Sequence, residues 1–109
     1  MKIVLPLPPT DNHVYGQRGK IRFMYPEAKH WKEMAWLQLK LQYGGEIKKG
    51  NVVIGEIIFY LKHWRDIQGS LKLLFDVMEG IVYENDRQVV QFCVFKKEDK
   101  VNPRIEIII

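Results

Sequence analysis

Cysteine is scarce in this sequence and long apolar runs are absent, which excludes several classes of protein. The one cysteine, Cys93, cannot form an internal disulfide, and no cysteine–histidine pattern typical of zinc sites is present. Cys93 lies in the apolar run Val89–Phe95, so we expect a buried, unreactive thiol. No apolar run reaches membrane-spanning length, and the opening MKIVLPLPP lacks the apolar stretch of a signal peptide. We therefore expect a cytoplasmic protein without a membrane partner.

With 109 residues, the chain has the length of one compact domain, which we place over residues 1–109. Hydrophobic residues make up 47% of it, enough for a small core. A chain this short buries a modest fraction of its surface, so association with a second copy would help it. Lysine and arginine outnumber aspartate and glutamate by 17 to 13, and this mild excess permits a polyanionic partner without requiring one.

Two amphipathic helices are predicted from the apolar spacing and from helix-start and helix-stop residues. The first begins at Pro26 and runs to about Tyr43, just before two glycines. The second begins near Ser70 as its N-cap and ends at Gly80. The apolar positions with helical spacing are Trp31, Met34, Leu37 or Gln38, and Leu41 in the first helix, and Leu71, Leu74, Phe75 and Met78 in the second.

Strands are predicted where apolar residues alternate with polar ones or form short runs between turn residues. Lys2–Leu7 and Asn51–Lys62 are the first two, and Arg87–Lys97 with Pro103–Ile109 is predicted to form a final β-hairpin. The fold class is therefore α+β, with a single layer of mixed or antiparallel sheet and two helices on one of its faces.

A basic segment lies between the first predicted strand and the first helix. Val14–Tyr25 contains two glycines and is predicted to form a hairpin or an ordered loop. Arg18, Lys20 and Arg22 occupy alternate positions, so in an extended chain these three cations would point the same way. The pattern suits a surface that contacts phosphates, but a solvated basic hairpin would have the same sequence.

The stretch Trp64–Val90 contains the polar residues best suited to chemistry. Asp66 comes just after a predicted strand and Asp86 just before the next one. Lys72 and Asp76 share one exposed helical face. A strand–helix–strand path could bring Asp66 and Asp86 together at one edge of the sheet, with Lys72 above them. Paired carboxylates suit a Mg²⁺ ion that polarises a phosphate and activates water, while a lysine neutralises the developing charge.

A purely structural interpretation of the same residues stays open on spacing alone. Asp66 could cap a helix or a turn, and Asp86 could be a turn residue. Lys72 and Asp76 could form an ordinary i,i+4 ion pair, worth about 0.3–0.5 kcal/mol. Spacing alone does not decide between the two interpretations.

Two separated motifs resemble the RusA family of Holliday junction resolvases. The stretch RDIQGSLKLLFDVMEGIVYENDRQV is similar to the family's core pattern, in which R-D-x-D is followed by a lysine, an aspartate and then an acidic pair. The opening LPLPPTDN is similar to the family's LPxPPTxN, and YPEAKHWKE is similar too. The resemblance covers nearly the whole chain. It implies a small, dimeric, Mg²⁺-dependent endonuclease that cuts branched DNA in recombination and repair.

The resemblance also implies roles for the matching positions. Asp66 and Asp86 match metal-binding aspartates, and Lys72 matches the lysine required for cleavage. We assign Arg65 to phosphate contact and Asp76 to orienting Lys72. These roles make Asp66, Asp86 and Lys72 the expected catalytic residues.

Two positions depart from the family pattern. Gln68 stands where the family has the second aspartate of its D-x-D, and Asn85 replaces one member of the acidic pair. Gln68 offers a carbonyl oxygen but no charge, so a site of Asp66, Asp86 and Gln68 should bind Mg²⁺ more weakly. The protein is then either an active nuclease, with Mn²⁺ as an alternative ion, or a branched-DNA-binding protein that cuts poorly or not at all.

A four-way junction is close to two-fold symmetric, so a two-fold homodimer would supply two matched sites. Tyr15 or Phe23 could stack at the branch. Asn12 matches the family's N-terminal asparagine, although a turn-forming asparagine would explain it equally well. A protein-interaction module without a nucleic-acid role is the remaining alternative. The residues expected to contact DNA are Asn12, Arg18, Lys20, Arg22, Lys29, Arg65 and Lys72.

Overall fold

The computed structural model describes residues 1–109, which form two sheets and two α-helices. A hairpin pairs β2 (Tyr15–Arg18) with β3 (Ile21–Met24), and it stands apart as a two-stranded sheet. The main sheet contains β1 (Lys2–Leu5), β4 (Val52–Leu61), β5 (Val89–Glu98) and β6 (Arg104–Ile108). The α+β class is confirmed, and the hairpin is an addition to the single layer that was expected.

The last two strands are not paired with each other, so the predicted C-terminal hairpin is wrong. The main sheet has the order β1-β6-β4-β5, in which β4 separates β5 from β6. β4 pairs in parallel with β5 and antiparallel with β6. Parallel neighbours need a crossover, which contains α2 (Gln68–Met78). The helix therefore runs back along the sheet between the end of β4 and the start of β5.

One hydrophobic core joins both helices to one face of the main sheet. From the sheet it takes alternating residues, as a pleated strand with one buried face requires. Examples are Ile57, Phe59 and Leu61 on β4 and Ile105 and Ile107 on β6. α1 (Pro26–Gln42) contributes Ala28, Trp31, Ala35 and Leu39, and α2 contributes Leu73, Leu74, Val77 and Met78.

The buried face of α1 differs from the one predicted. Trp31 is buried as expected, but Met34, Leu37 and Leu41 are exposed. The helix packs instead through Ala28, Ala35 and Leu39 together with Trp31. The larger apolar side chains consequently form a stripe on the outer surface of α1.

β5 forms one edge of the main sheet, and much of its apolar surface is uncovered. Phe92 packs edge-on against Phe75 of α2, with ring centroids 5.0 Å apart, yet Phe92, Val90 and Phe95 remain exposed. Cys93 on the same strand is exposed, so the prediction of a buried thiol is wrong. No helix combines the length and the apolar character needed to cross a membrane.

Candidate active site

The N-terminal motif and the core motif meet at the start of α2. The Asp11 carboxylate accepts hydrogen bonds from the backbone N–H groups of Gly69 (3.1 Å) and Ser70 (3.2 Å). The Ser70 hydroxyl lies 3.4 Å from both Asp11 Oδ1 and the Pro9 carbonyl oxygen. Asp11 thus satisfies backbone donors that the first turn of a helix leaves free. Ser70 is a buried residue inside α2, and its predicted role as N-cap is wrong.

Arg65 adds a second link between the two motifs. Its Nη2 donates a hydrogen bond of 2.9 Å to the carbonyl oxygen of Pro8. Burial lowers the pKa of Arg65 from its ordinary value, and the Asp11 carboxylate opposes that shift. The Nε atom of Arg65 is buried without a hydrogen-bond partner. Arg65 therefore fixes the proline segment against the loop before α2, a role that its sequence position did not indicate.

These contacts create a polar cleft of about 230 Å³ between the two motifs. Asn12 and Asp66 both line it, and both side chains are exposed. The structure therefore brings together two residues that sequence matching selected independently. The complete lining is Thr10, Asp11, Asn12, Arg65 and Asp66.

A second acidic group lies at the other end of α2. The backbone N–H of Asp86 donates to Glu79 Oε1 at 2.9 Å, and Glu79 directly follows the last residue of the helix. Asn85 holds this turn, because its side chain accepts from the Arg87 N–H while Gln88 accepts from the Asn85 N–H. Asn85 therefore has a structural role where the family pattern has an acid.

Asp76 lies close enough to Glu79 and Asp86 for their charges to shift its pKa. Burial raises the pKa of Asp76 from its ordinary value, Lys32 and Lys72 oppose the rise, and Glu79 and Asp86 add to it. Tyr83, whose hydroxyl donates to the Phe75 carbonyl at 2.7 Å, has its pKa raised by burial and then by Asp86. Asp76 and Asp86 are thus electrostatic neighbours near the C-terminal end of α2.

The two expected metal-binding aspartates lie at opposite ends of α2 within one chain. Asp66 precedes the first residue of the helix, and Asp86 is held just beyond its last. The helix has 11 residues, which corresponds to about 16 Å at ~1.5 Å per residue. The prediction that the chain folds back to place Asp66 and Asp86 at one sheet edge is therefore wrong. It assumed that the strands flanking α2 present neighbouring ends, whereas the parallel pairing of β4 and β5 separates those ends.

A single chain consequently does not bring the three expected ligands Asp66, Asp86 and Gln68 together. No group of three or more histidine, cysteine, aspartate or glutamate side chains is placed to hold an ion. Gln68, the first residue of α2, is exposed and lies at the same end of the helix as Asp66. Each end of α2 therefore carries exposed side chains with oxygen donors of the kind that Mg²⁺ prefers.

Lys72 lies one turn into α2 and makes no ion pair with Asp76. The structure contains four ion pairs with N···O within 4.0 Å, and none of them involves Lys72. The alternative of an ordinary i,i+4 pair with Asp76 is thus not what the structure has. The ammonium lies instead over the ring of Tyr15, with Nζ 5.2 Å from the ring centroid.

The cations of the hairpin do not share one face, and the expectation that they point the same way is wrong. Gly19, with φ of 62°, turns the chain, so that Arg18 pairs with Ile21 and Arg22 with Gln17. Adjacent pairs in a ladder alternate between faces, which places Arg18 and Arg22 on opposite sides, with Lys20 in the turn. Arg18 and Lys29 line a cleft of about 460 Å³, whose other lining residues are Ile21, Phe23, Met24 and Pro26.

Carboxylates at both ends of one helix, a polar cleft and cations without counter-ions suit a protein that binds phosphate esters. The chain matches the family Endodeoxyribonuclease RusA over residues 6–109 and belongs to that family. This match confirms the resemblance found in the sequence motifs. The family is one of endonucleases that resolve Holliday junctions. No curated protein matches the chain.

Proposed function

We propose that this protein is a structure-selective endodeoxyribonuclease that resolves Holliday junctions by Mg²⁺-dependent phosphodiester hydrolysis, with Mn²⁺ able to replace Mg²⁺. The family match over residues 6–109 is the observation that carries this proposal. The hydrogen bonds from Gly69 and Ser70 to Asp11 join the two motifs and support the proposal. Asp66 and Asn12 consequently line the same cleft. Recombination and repair are the processes in which such a reaction is needed. A cytoplasmic location stays a prediction.

In this proposal the acids and the lysine have different tasks. Asp66, Asp86 and Gln68 hold the divalent ion, whose chemistry is to polarise the scissile phosphate and lower the pKa of a water. Lys72 donates hydrogen bonds to the phosphate and offsets the negative charge that develops there. Asp76 keeps the Lys72 ammonium on this side of α2 by attraction over a distance longer than a direct pair.

A homodimer resolves the separation of the two acids. In a two-fold dimer with the α2 helices of both copies antiparallel, Asp66 and Gln68 of one protomer would meet Asp86 of the partner subunit. The pairing forms two equivalent sites, which suits two matched nicks in a junction. Two uncovered apolar surfaces support self-association: the outer stripe of α1, and the edge of β5 with Val90, Phe92 and Phe95.

DNA contacts are proposed for residues on three parts of the surface. Asn12 and Arg65 line the polar cleft, Lys72 and Arg22 lie together at Tyr15, and Arg18 and Lys29 line the second cleft. Such contacts recognise the shape and phosphates of a branch more than its sequence. Lys20, exposed in the hairpin turn, completes the set.

A second candidate function is that of a branched-DNA-binding protein with little or no cleavage. Gln68 favours it, because a neutral ligand replaces a carboxylate that the family pattern has at this position. The experiment that separates the two functions incubates the protein with synthetic four-way junctions in Mg²⁺ and in Mn²⁺. Symmetric nicks with wild type and none with Asp66→Asn support the nuclease. Retention of the junction in a gel without nicks supports the binding protein, and linear duplex DNA is the control substrate.

A further inference from the structure

Two cations from separate elements lie over one aromatic ring. The guanidinium carbon of Arg22 is 4.4 Å from the ring centroid of Tyr15, and Nζ of Lys72 is 5.2 Å from the same centroid. Tyr15 and Arg22 belong to paired strands of the hairpin, one diagonal step apart, whereas Lys72 belongs to α2. Tyr15 is therefore the side chain through which the basic hairpin meets the lysine of α2.

Neither cation has an anionic partner. No carboxylate oxygen lies within 4.0 Å of the charged nitrogens of Arg22 or Lys72. Attraction to the ring offsets part of the repulsion between two positive charges, but it does not neutralise them. Asp76 acts electrostatically on both Tyr15 and Lys72 but lies beyond direct pairing distance, so the positive charge at this ring is only partly compensated.

Tyr60 provides a direct comparison within the same molecule. The Arg104 guanidinium carbon lies 3.9 Å from the Tyr60 ring centroid, so this ring also carries a cation. Arg104, however, is paired with Asp99 at 2.9 Å and with Glu106 at 2.8 Å. The cation at Tyr60 is thus paired directly with carboxylates, whereas neither cation at Tyr15 has a directly paired anion.

We propose that Tyr15 is a positioning residue that holds Lys72 and Arg22 so that both bind one phosphate group of the branched DNA. The inference rests on the proposed function, in which the missing anion is a backbone phosphate. Such a group accepts charge-assisted hydrogen bonds from an ammonium and a guanidinium at once. Burial raises the pKa of Tyr15, Asp76 adds to the rise and Arg22 opposes it. The phenol therefore stays neutral at physiological pH and adds no charge that would repel a phosphate.

This role differs from the one expected of Tyr15 as an aromatic that stacks at the branch. Its ring is half-buried and already in contact with two cations, so it is not free to receive a base. Phe23 lies on the other face of the hairpin, where its ring packs edge-on against Tyr25 with centroids 5.2 Å apart. In this proposal Tyr15 positions Lys72 and Arg22, and only these two side chains contact the phosphate.

The first test measures the arrangement itself, without DNA. Protons on the carbon next to Nζ of Lys72 should be shifted upfield by the ring current of Tyr15 in NMR spectra. The shift should persist in Tyr15→Phe, which keeps the ring, and vanish in Tyr15→Leu. Inorganic phosphate added to wild type should perturb Lys72 and Arg22 side-chain signals together, and should perturb neither in Tyr15→Leu. Independent responses of the two side chains, or identical responses in both variants, would overturn the inference even if the protein never cuts DNA.

The second test measures junction binding as a function of salt, without divalent metal. Tyr15→Leu removes no charge, yet it should weaken binding about 5- to 30-fold, the equivalent of two exposed cation–π contacts. It should also flatten the plot of log K against log salt. Lys72→Ala and Arg22→Ala should each reduce the slope by about 0.9 in wild type, and by much less in the Tyr15→Leu background.

Two matched controls make the binding result specific. Tyr15→Phe should keep the wild-type slope, and Tyr60→Leu, which removes the neutralised tyrosine–arginine pair, should leave junction binding unchanged. Additive effects of Tyr15→Leu with Lys72→Ala and Arg22→Ala would overturn the positioning role. If wild type fails to bind junctions at all, the proposed function is contradicted, while the phosphate titration still decides the inference about Tyr15.

Discussion

The hydrogen bonds of Asp11 allow a quantitative prediction of how much the N-terminal motif stabilises α2. Asp11→Ala removes the acceptor of the Gly69 and Ser70 N–H groups and of the Ser70 hydroxyl. Loss of a helix cap costs about 1 kcal/mol, and a buried donor left without a partner costs about 1–3 kcal/mol. Ser70 is fully buried and Gly69 is half-buried, so only the Gly69 amide can regain water. We expect a loss of about 2–3 kcal/mol in the free energy of unfolding.

Urea denaturation followed by circular dichroism measures this loss directly. Asp11→Asn keeps one acceptor oxygen and should lose about 1 kcal/mol or less. Asn12→Ala is the matched control, because Asn12 is the exposed neighbour in the same cleft and should change stability by less than ~0.5 kcal/mol. If Asp11→Ala costs no more than Asn12→Ala, the two motifs are not joined through this carboxylate.

Three further predictions concern Glu106, Gln68 and Lys72. Burial would raise the pKa of Glu106, but Arg104 and Lys2 outweigh burial and hold this pKa below its ordinary value of 4.5. The ionised Glu106 side chain should therefore stabilise the fold above pH 4.5, and this stabilisation should be lost on acidification. In urea titrations, Glu106→Gln should flatten the dependence of the free energy of unfolding on pH below pH 4.5. Gln68→Asp should raise Mg²⁺ affinity about 10- to 100-fold in calorimetry and should increase cleavage; an unchanged affinity would place Gln68 outside the metal site. Lys72→Met should slow single-turnover cleavage about 10²- to 10³-fold while junction binding falls less than ~10-fold, and equal losses in both would assign Lys72 to binding alone.

Capping residues, turn residues and apolar periodicity predicted the positions of most helices and strands. Pro26 begins α1, and the expected end near Tyr43 is one residue beyond Gln42. The alternation over Asn51–Lys62 corresponds to β4, and the glycine-containing basic segment corresponds to the β2–β3 hairpin. These features depend on backbone preferences and on periodicity within a few residues, so the sequence contains them directly.

Long-range pairing could not be predicted in the same way. Two strands separated by a short loop favour a hairpin, but β4 takes the position between β5 and β6. The parallel register of β4 and β5 then decides that Asp66 and Asp86 lie at opposite ends of α2. Neither acid has a local sequence feature that indicates this separation.

The contacts that form the site could not be predicted from the sequence either. Asp11 looks like a turn residue, and no pattern connects it to amides 58 and 59 residues away. Arg65 matches a motif position, but its bond to Pro8 depends on how the proline segment crosses the loop before α2. On α1, Met34, Leu37 and Leu41 were expected to be buried, but the face that packs on the core joins Trp31 and Leu39 with two alanines. In each case a tertiary contact decided what the side chain does.

In the proposed dimer, each nuclease site combines Asp66 from one copy of the chain with Asp86 from a second copy. Subunit mixing tests this arrangement. Asp66→Asn and Asp86→Asn should each be inactive as homodimers, and the two are unfolded together, refolded and incubated with a four-way junction and Mg²⁺. A heterodimer of the two variants contains one intact pair of acids and one pair lacking both. We predict that mixing restores nicking, with one strand cut per binding event, while wild type cuts both. No nicking by the mixture, under conditions where wild type is active, would contradict the shared site and would place both acids of a site in one chain.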